Sequence, residues 1–406
     1  MSEYELRAIR ADETEAFGRA LAEAFQFDPR EEELALWVEL IDPERTLAAF
    51  VGYEMVATSE LKSLRIAIPG AVVRMAGVSA VGVHAAHRRR GLLDRMMRTQ
   101  LEAIRERGTE AIASLWASEA GIYGRYGFGL ATRIAELTVR SAEASLSGVP
   151  EARPRTGAPA DLLPAMRAVH DAFLPTWPGT IARDAKDWKV ATIDFEADRD
   201  GAGRLRALVA DGSGGPEGYA LFAVRKGGAD GSPDDVVVLH ELVATTPAAR
   251  ATLWEHLLRL SLSRSVRWAR AAADAELVHM LADSGAVTSK LKDGLFVRLV
   301  DLSGALGARV YCAPVDVVLE VSDELCPWNA RRWRLAGDQT GATCERSAAP
   351  ADIALGAREL GAAFLGGTTL AALAAAGRVE EHSPGAVAAA SCAFRASREP
   401  WCFEHF

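Results

Sequence analysis

The stretch that decides the reading is Val81-Gly-Val-His-Ala-Ala-His-Arg-Arg-Arg-Gly-Leu-Leu93. A β-branched segment ends in a tight turn carrying three arginines and a glycine, and a helix begins at once. Leu92, Leu93, Met96, Met97, Leu101 and Ile104 form one apolar stripe along Gly91–Arg107. A turn of this kind points successive backbone N–H groups and a helix N-terminus at one spot, which makes a site for a diphosphate. An Arg-Arg-Arg run alone reads as a solvated basic face. The strand before it, the glycine within it and the helix after it favour the diphosphate.

Working outward, Glu5–Ile9 reads as a short strand, and Thr14–Phe25 and Glu31–Ile41 as helices, the second with Leu34, Trp37 and Leu40 at helical spacing. Strands are expected at Thr46–Tyr53, Met55–Leu61, Leu64–Ile68 and Val72–Val83, with a turn at Pro69-Gly70. Ala111–Trp116 reads as a buried strand, Ile122–Tyr126 opens a short helix, and Leu137–Val139 is expected to close the sheet. A Pro/Gly/Arg-rich linker, Ser147–Ala158, follows. Beyond it the element order repeats: a helix at Leu162–Leu174, strands at Arg204–Ala210, Gly218–Arg225 and Asp235–Val243, a helix at Thr252–Leu262 and a last strand at Phe296–Val300. Where a diphosphate turn should stand, this copy reads Ala244-Thr-Thr-Pro-Ala-Ala-Arg-Ala251, without glycine, so close backbone approach to a phosphate is hard. The second copy is therefore expected to be structural. From about Leu302 the texture changes, with strands at Val315–Ser322 and Asn329–Ala336 and helices at Ala357–Phe364 and Thr369–Ala376.

Composition bounds the function. A chain of 406 residues, 49% of them hydrophobic and 25% charged, is globular and too long for one core. A net charge of −9 argues against nucleic acid as partner and suits a cationic substrate. Met1–Arg10 is polar and no apolar run is long enough for a bilayer, so no membrane partner is expected and the location is expected to be cytoplasmic. Five cysteines without paired spacing fit reduced thiols, and no metal site is expected.

An acyl-coenzyme A is recognised through its diphosphate and its extended, amide-rich pantetheine arm, with which an exposed strand edge can pair. Val81, Gly82 and Val83 supply that edge, Gly82 allowing a bulge that splays the strands. Arg88, Arg89, Gly91, Leu92 and Leu93 surround the phosphates. A second cluster, Ser118-Glu-Ala-Gly-Ile-Tyr-Gly-Arg-Tyr-Gly-Phe128, follows the strand ending at Trp116. When an amine attacks a thioester, the departing sulfur needs a proton, and a phenol held nearby can give it. Tyr123 is the candidate. Tyr126 competes, although its position suits packing beside Phe128, and His84 is a conceivable base at a strand end.

These clusters resemble the GNAT superfamily of N-acetyltransferases, whose diphosphate signature is matched by Arg88-Arg-Arg-Gly91-Leu-Leu93, with Leu93 in place of a small residue. A narrower resemblance, to the Eis (enhanced intracellular survival) family, rests on His87-Arg-Arg-Arg-Gly-Leu-Leu93, on Ala117-Ser-Glu-x-Gly-Ile-Tyr-Gly-Arg-x-Gly-x-Gly129 and on the ending Phe403-Glu-His-Phe406. It implies an α+β chain: two tandem GNAT (acyl-CoA N-acyltransferase) folds, 1–146 catalytic and 147–300 degenerate, then a sterol-carrier-protein-like α/β domain at 301–406. The resemblance further implies acetyl-CoA as cosubstrate, Ser118 among the donor-binding residues, and Tyr123 as acid with the C-terminal carboxylate of Phe406 as base. It places Phe27, Asp28, Trp37 and Glu404 around the acceptor, and implies aminoglycosides as acceptors and a homo-oligomer, a hexamer. A protein lysine or small polyamine acceptor stays open, as does a lipid-binding or assembly protein built on vestigial GNAT folds. Trp37 as a plain core residue is equally open.

Overall fold

The computed structural model describes residues 4–146, 154–227 and 234–406, so the expected linker at Ser147–Ala158 lies partly outside the described residues. The chain begins with β1 (Glu5–Ala8), α1 (Thr14–Phe25), α2 (Glu31–Leu40), β2 (Thr46–Val51), β3 (Glu54–Ile68) and β4 (Ala71–Val83). α3 (Leu92–Arg107), β5 (Ile112–Trp116), α4 (Ala120–Tyr123) and β6 (Gly129–Leu130) follow. α3 forms as its stripe demands: Leu92, Met96, Met97, Leu101 and Ile104 are buried, each worth about 1.5–3 kcal/mol relative to exposure. The two strands expected at Met55–Leu61 and Leu64–Ile68 are one continuous strand. The polar Lys62-Ser63 interrupts the apolar pattern but not the ladder, where Lys62 pairs with Gly77 and Ser63 with Ala76.

Next come β7 (Arg133–Arg140), β8 (Arg155–Gly157), α5 (Pro159–Phe173), α6 (Ala185–Thr192), β9 (Arg206–Gly212), β10 (Gly215–Arg225), β11 (Asp235–Ala244), α7 (Pro247–Leu258), β12 (Ser263–Ala272), α8 (Leu277–Met280), β13 (Val287–Asp293) and β14 (Leu295–Leu299). Sheet membership departs from chain order. The first sheet runs β1-β2-β3-β4-β5-β14-β6 and the second β13-β7-β12-β11-β10-β9-β8. The segment around Leu137–Val139 therefore does not close the first sheet, and the strand expected at Phe296–Val300 is not the last of the second; the two folds exchange these strands. Burial explains which strand suits which place. β14 is buried at every position, Arg298 included, and needs cover on both faces, which the Phe128/Leu115 core and a later helix provide. β7 instead exposes Arg133, Glu136 and Arg140 and buries Ile134, Leu137 and Val139.

The remainder comprises α9 (Leu302–Gly307), β15 (Val315–Ser322), β16 (Arg332–Asp338), β17 (Gly341–Arg346), β18 (Ile353–Gly356), α10 (Ala357–Ala363), α11 (Leu370–Ala375), β19 (Val379–Glu381) and α12 (Ala386–Phe394), with a sheet ordered β17-β16-β15-β18-β19. The strand expected from Asn329 starts at Arg332, because the Asn329 side chain is spent on Leu299 and Val300 carbonyls and the Leu302 N–H. The chain forms two compact units: Met1–Ala131 with Leu295–Ala396 and His405–Phe406, and Thr132–Gly294 with Ser397–Glu404. Among the described residues no helix is long and apolar enough to cross a membrane.

Candidate active site

The site is built on β4 and β5 of the first unit. These strands pair in parallel over three residue pairs, Met75↔Ile112 to Gly77↔Ser114, and no further. Against β3, the register jumps from Glu60↔Ser79 to Thr58↔Gly82, so Ala80 and Val81 together face Ser59. The backbone irregularity of this bulge falls on Ala80, at φ 51, and not on Gly82 as expected. Gly82 serves close packing instead, since a Cβ there would stand 2.9 Å from the Ala24 Cβ of α1. Beyond Gly77, β4 thus presents Val81–Val83 as an edge not used by β5.

The turn that follows is pinned by its own side chains. The Arg88 guanidinium donates to the Val83 carbonyl and to the Ala24 carbonyl, both at 3.2 Å, so its side chain braces the turn. Arg90 donates to the Tyr4 hydroxyl at 2.8 Å, and Tyr4 meets His87 at 3.1 Å. Arg89 is exposed, and it and Gly91 are both left-handed, at φ 61 and 78. Such alternation aims consecutive N–H groups at one point, and the first N–H groups of α3 have no partner within the helix. Leu92 points its side chain into the core with Tyr4 and Met96, leaving its N–H as the part available to a ligand. His84 accepts from the Ala86 N–H and so caps the turn.

Val81, Leu93, Ile122 and Tyr123 all pack against one core cluster, formed by Leu101, Leu115, Tyr126, Phe128 and their neighbours. The edge, the turn and the phenol are therefore brought together, and Leu93 in place of a small residue is explained by this contact. Tyr123 ends α4, is half-buried, and meets Phe128 edge-on at 6.3 Å. Burial, with Tyr126 and Glu119 adding, holds its hydroxyl above the ordinary tyrosine value of 10, so it stays a proton donor. Tyr126 is fully packed, at 2% exposure. Ser118 is exposed in the bend between β5 and α4.

The last two residues return to this site. The Phe406 ring lies on Gly77, the last residue of β4 paired with β5; a Cβ at Gly77 would stand 2.9 and 3.0 Å from its ring carbons. His405 stacks beside Trp116, the end of β5, at 5.4 Å. On the adjacent strand, burial raises the Glu60 carboxyl against the pull of Lys62 at 3.4 Å, a second carboxyl that pattern reading passed over. Phe27 and Trp37 meet edge-on at 5.9 Å across the α1–α2 hairpin, with Asp28 exposed between them. Trp37 also covers Gly18 of α1, as a packing residue does. Glu404 belongs to the second unit, its carboxylate engaged by His170 at 3.2 Å, the Ile181 N–H at 3.4 Å and Arg183 at 3.6 Å.

An acetyltransferase (GNAT) domain family matches residues 5–131, a second acetyltransferase (GNAT) domain family matches 179–299, and a sterol carrier protein domain family matches 302–403. The chain is 41% identical over 402 residues to an uncharacterized N-acetyltransferase of Streptomyces avermitilis, with 98% of each covered. It is 33% identical over 339 residues to the N-acetyltransferase Eis of Mycobacterium bovis, covering 81% of this chain and 80% of that one. The chain belongs to the Eis family of N-acetyltransferases. The crystal structure of Eis1 from Mycobacterium abscessus has the same fold, with a TM-score of 0.87 and 29% identity over 99% of this chain and 100% of that one.

An Eis-family enzyme uses acetyl-CoA and an amine acceptor, as GNAT acetyltransferases do. The two GNAT folds and the sterol-carrier-like domain expected from the resemblance are present. β14 and the sterol-carrier-like domain also support the tyrosine segment. Arg298 of β14 presses on Gly127, where a Cβ would run into its guanidinium, and pairs with buried Asp323 at 2.8 Å. Arg358 of α10 covers Gly124, next to Tyr123. Neither arginine is marked by any sequence pattern.

Proposed function

We propose that this Eis-family enzyme moves an acetyl group from acetyl-CoA directly to a primary amine of a cationic acceptor, in a ternary complex. The observation that carries the reading is the seat of Phe406 on Gly77, where the β4–β5 ladder ends, in the unit that also holds Tyr123. Val81–Val83 pair with the pantetheine arm, and the N–H groups of the Arg88–Leu93 turn, with the Arg89 side chain, take the diphosphate. The amine nitrogen attacks the thioester carbonyl carbon and a C–N bond forms. The C–S bond breaks as Tyr123 gives its proton to the sulfur, and the Phe406 carboxylate takes the proton released by the nitrogen.

Aminoglycosides, acetylated at more than one amine, fit as acceptors: they are polycations, and Phe27, Trp37 and Asp28 offer rings and a carboxylate beside the α1–α2 hairpin. In this reading 1–146 is the catalytic domain, 147–300 is structural, and 301–406 supplies the carboxylate. The assembly is a hexamer located in the cytoplasm. The test is release of CoA thiol with a kanamycin-class acceptor, with products weighed by mass spectrometry. Mono- and di-acetylated product is expected; acetyl-CoA hydrolysis without acetylated amine would overturn the substrate class. Sedimentation velocity tests the hexamer.

A further inference from the structure

β11 and β12 hold in the second sheet the places of β4 and β5 in the first, each a parallel pair flanked by antiparallel neighbours. Their ladder runs from Asp235↔Ser263 to Leu239↔Trp268 and ends there, although the strands continue to Ala244 and Ala272. The gap is not filled by a ligand-binding turn, which this copy lacks. It is filled by the chain's own end. The Trp401 indole donates to the Arg270 carbonyl, beyond the last rung, at 2.9 Å, and its backbone N–H donates to Pro178 at 2.8 Å. Its ring nests among Phe173, Trp177 and Trp268 at 5.1–6.2 Å. At Gly179, φ 100, a Cβ would meet the Trp401 backbone at 2.8 Å.

The grip ends on a charge. Glu404 accepts from His170 and from the Ile181 N–H, and lies 3.6 Å from Arg183. Arg183 forks onto Glu241 of β11 at 2.5 and 3.1 Å, and the Tyr219 hydroxyl donates to Glu241 at 2.8 Å. Trp401, Cys402 and Phe403 are at most 2% exposed. An apolar terminus seeking only burial has no need of a desolvated carboxylate, which is costly unless its partners are prepared. Phe406 is two positions beyond Glu404, with only His405 between them, so its Cα can stand no more than about 7 Å along the chain from that of Glu404.

We propose that the cleft of the second GNAT fold is a receptor for the chain's own segment Ser397–Glu404, in which Arg183, His170 and Glu241 are positioning residues that, by holding Glu404, fix the Phe406 carboxylate. The catalytic half of this inference rests on the reading of Phe406 as base; the receptor half does not. The test uses the full-length enzyme with Glu404→Ala and, should that variant fold poorly, Arg183→Lys, which keeps the charge and loses the fork. Amide hydrogen exchange over 397–406 is expected to speed up by about 10–100-fold, the loss of a charge-assisted bond, while the rest of the chain keeps its protection. Exchange in the tail equal to the parent's overturns the receptor. In the same variants kcat is expected to fall by about 10-fold or more with the acetyl-CoA KM unchanged, and Glu404→Asp to recover part of it. Faster exchange with parental kcat supports the receptor and overturns Phe406 as base.

Discussion

At the residue scale, the proposed mechanism asks two things: a phenol that stays protonated and a terminus that is placed. Because burial raises Tyr123 above 10, its proton is retained throughout the neutral range and given up only as pH rises past that raised value. The kcat profile of the parent should therefore hold its plateau to above pH 10 on the alkaline side. Tyr123→Phe should lower kcat by about 10²–10⁴-fold with the acetyl-CoA KM little changed, and the alkaline limb should disappear. Parental turnover in that variant removes Tyr123 from the acid role. Gly77 is the matching test for the terminus. An added Cβ would lie 2.6 Å from Leu64 and within 3.0 Å of Phe406. Gly77→Ala should displace the ring by about 1 Å and cost about 100-fold in kcat, while acetyl-CoA titration gives the parental Kd. Tyr123 could be found from its motif; Gly77 could not, because nothing local marks a glycine whose neighbour is 329 positions away (77 to 406).

At the element scale, what could be read was whatever depends on one segment's own pattern. The α3 stripe, the turn before it and most strands of the first unit announce themselves by period and punctuation. The exchange of β7 and β14 does not. A strand's pattern states how many of its faces are buried, and many sheets can satisfy that requirement. The strand Leu295–Leu299 was legible to within one residue, as Phe296–Val300; the sheet it joins was decided by β5, β6 and α10 together. Arg298 is the strongest constraint in that choice, a guanidinium of 0% exposure paired with Asp323 at 2%. Arg298→Met should destabilise by about 3–5 kcal/mol, since it strands Asp323 in the core. The urea midpoint reads this, and Arg298→Met with Asp323→Asn should recover part of the loss. A double variant no better than the single one would show that the pair's charge is not what matters.

At the scale of the whole molecule, one chain supplies two sheets of the same plan, and its last residues are divided between the two units, Ser397–Glu404 in one and His405–Phe406 in the other. Free termini fray, but within the aromatic ending Trp401-Cys-Phe-Glu-His-Phe406 the first three residues are buried. Where it docks was not legible, since its partners are scattered from Gly77 and Trp116 to His170, Arg183 and Trp268. The ending also makes the sharpest prediction. Two glycines appended after Phe406 turn its carboxylate into an amide and carry the new carboxylate up to about 7 Å away. An amide oxygen cannot take the proton of the attacking amine at neutral pH, so kcat should fall by about 10²–10⁴-fold. In the proposed reading the donor is held by the β4 edge and the α3 turn, so the Kd for acetyl-CoA should be unchanged. Tail protection over 397–404 should also persist, since Trp401 and Glu404 keep their partners. Loss of turnover with both retained assigns the defect to the terminal carboxylate itself. Parental turnover in the extended chain rules that carboxylate out as the base and leaves Glu60, a buried carboxyl beside the bulge, as the group to substitute next.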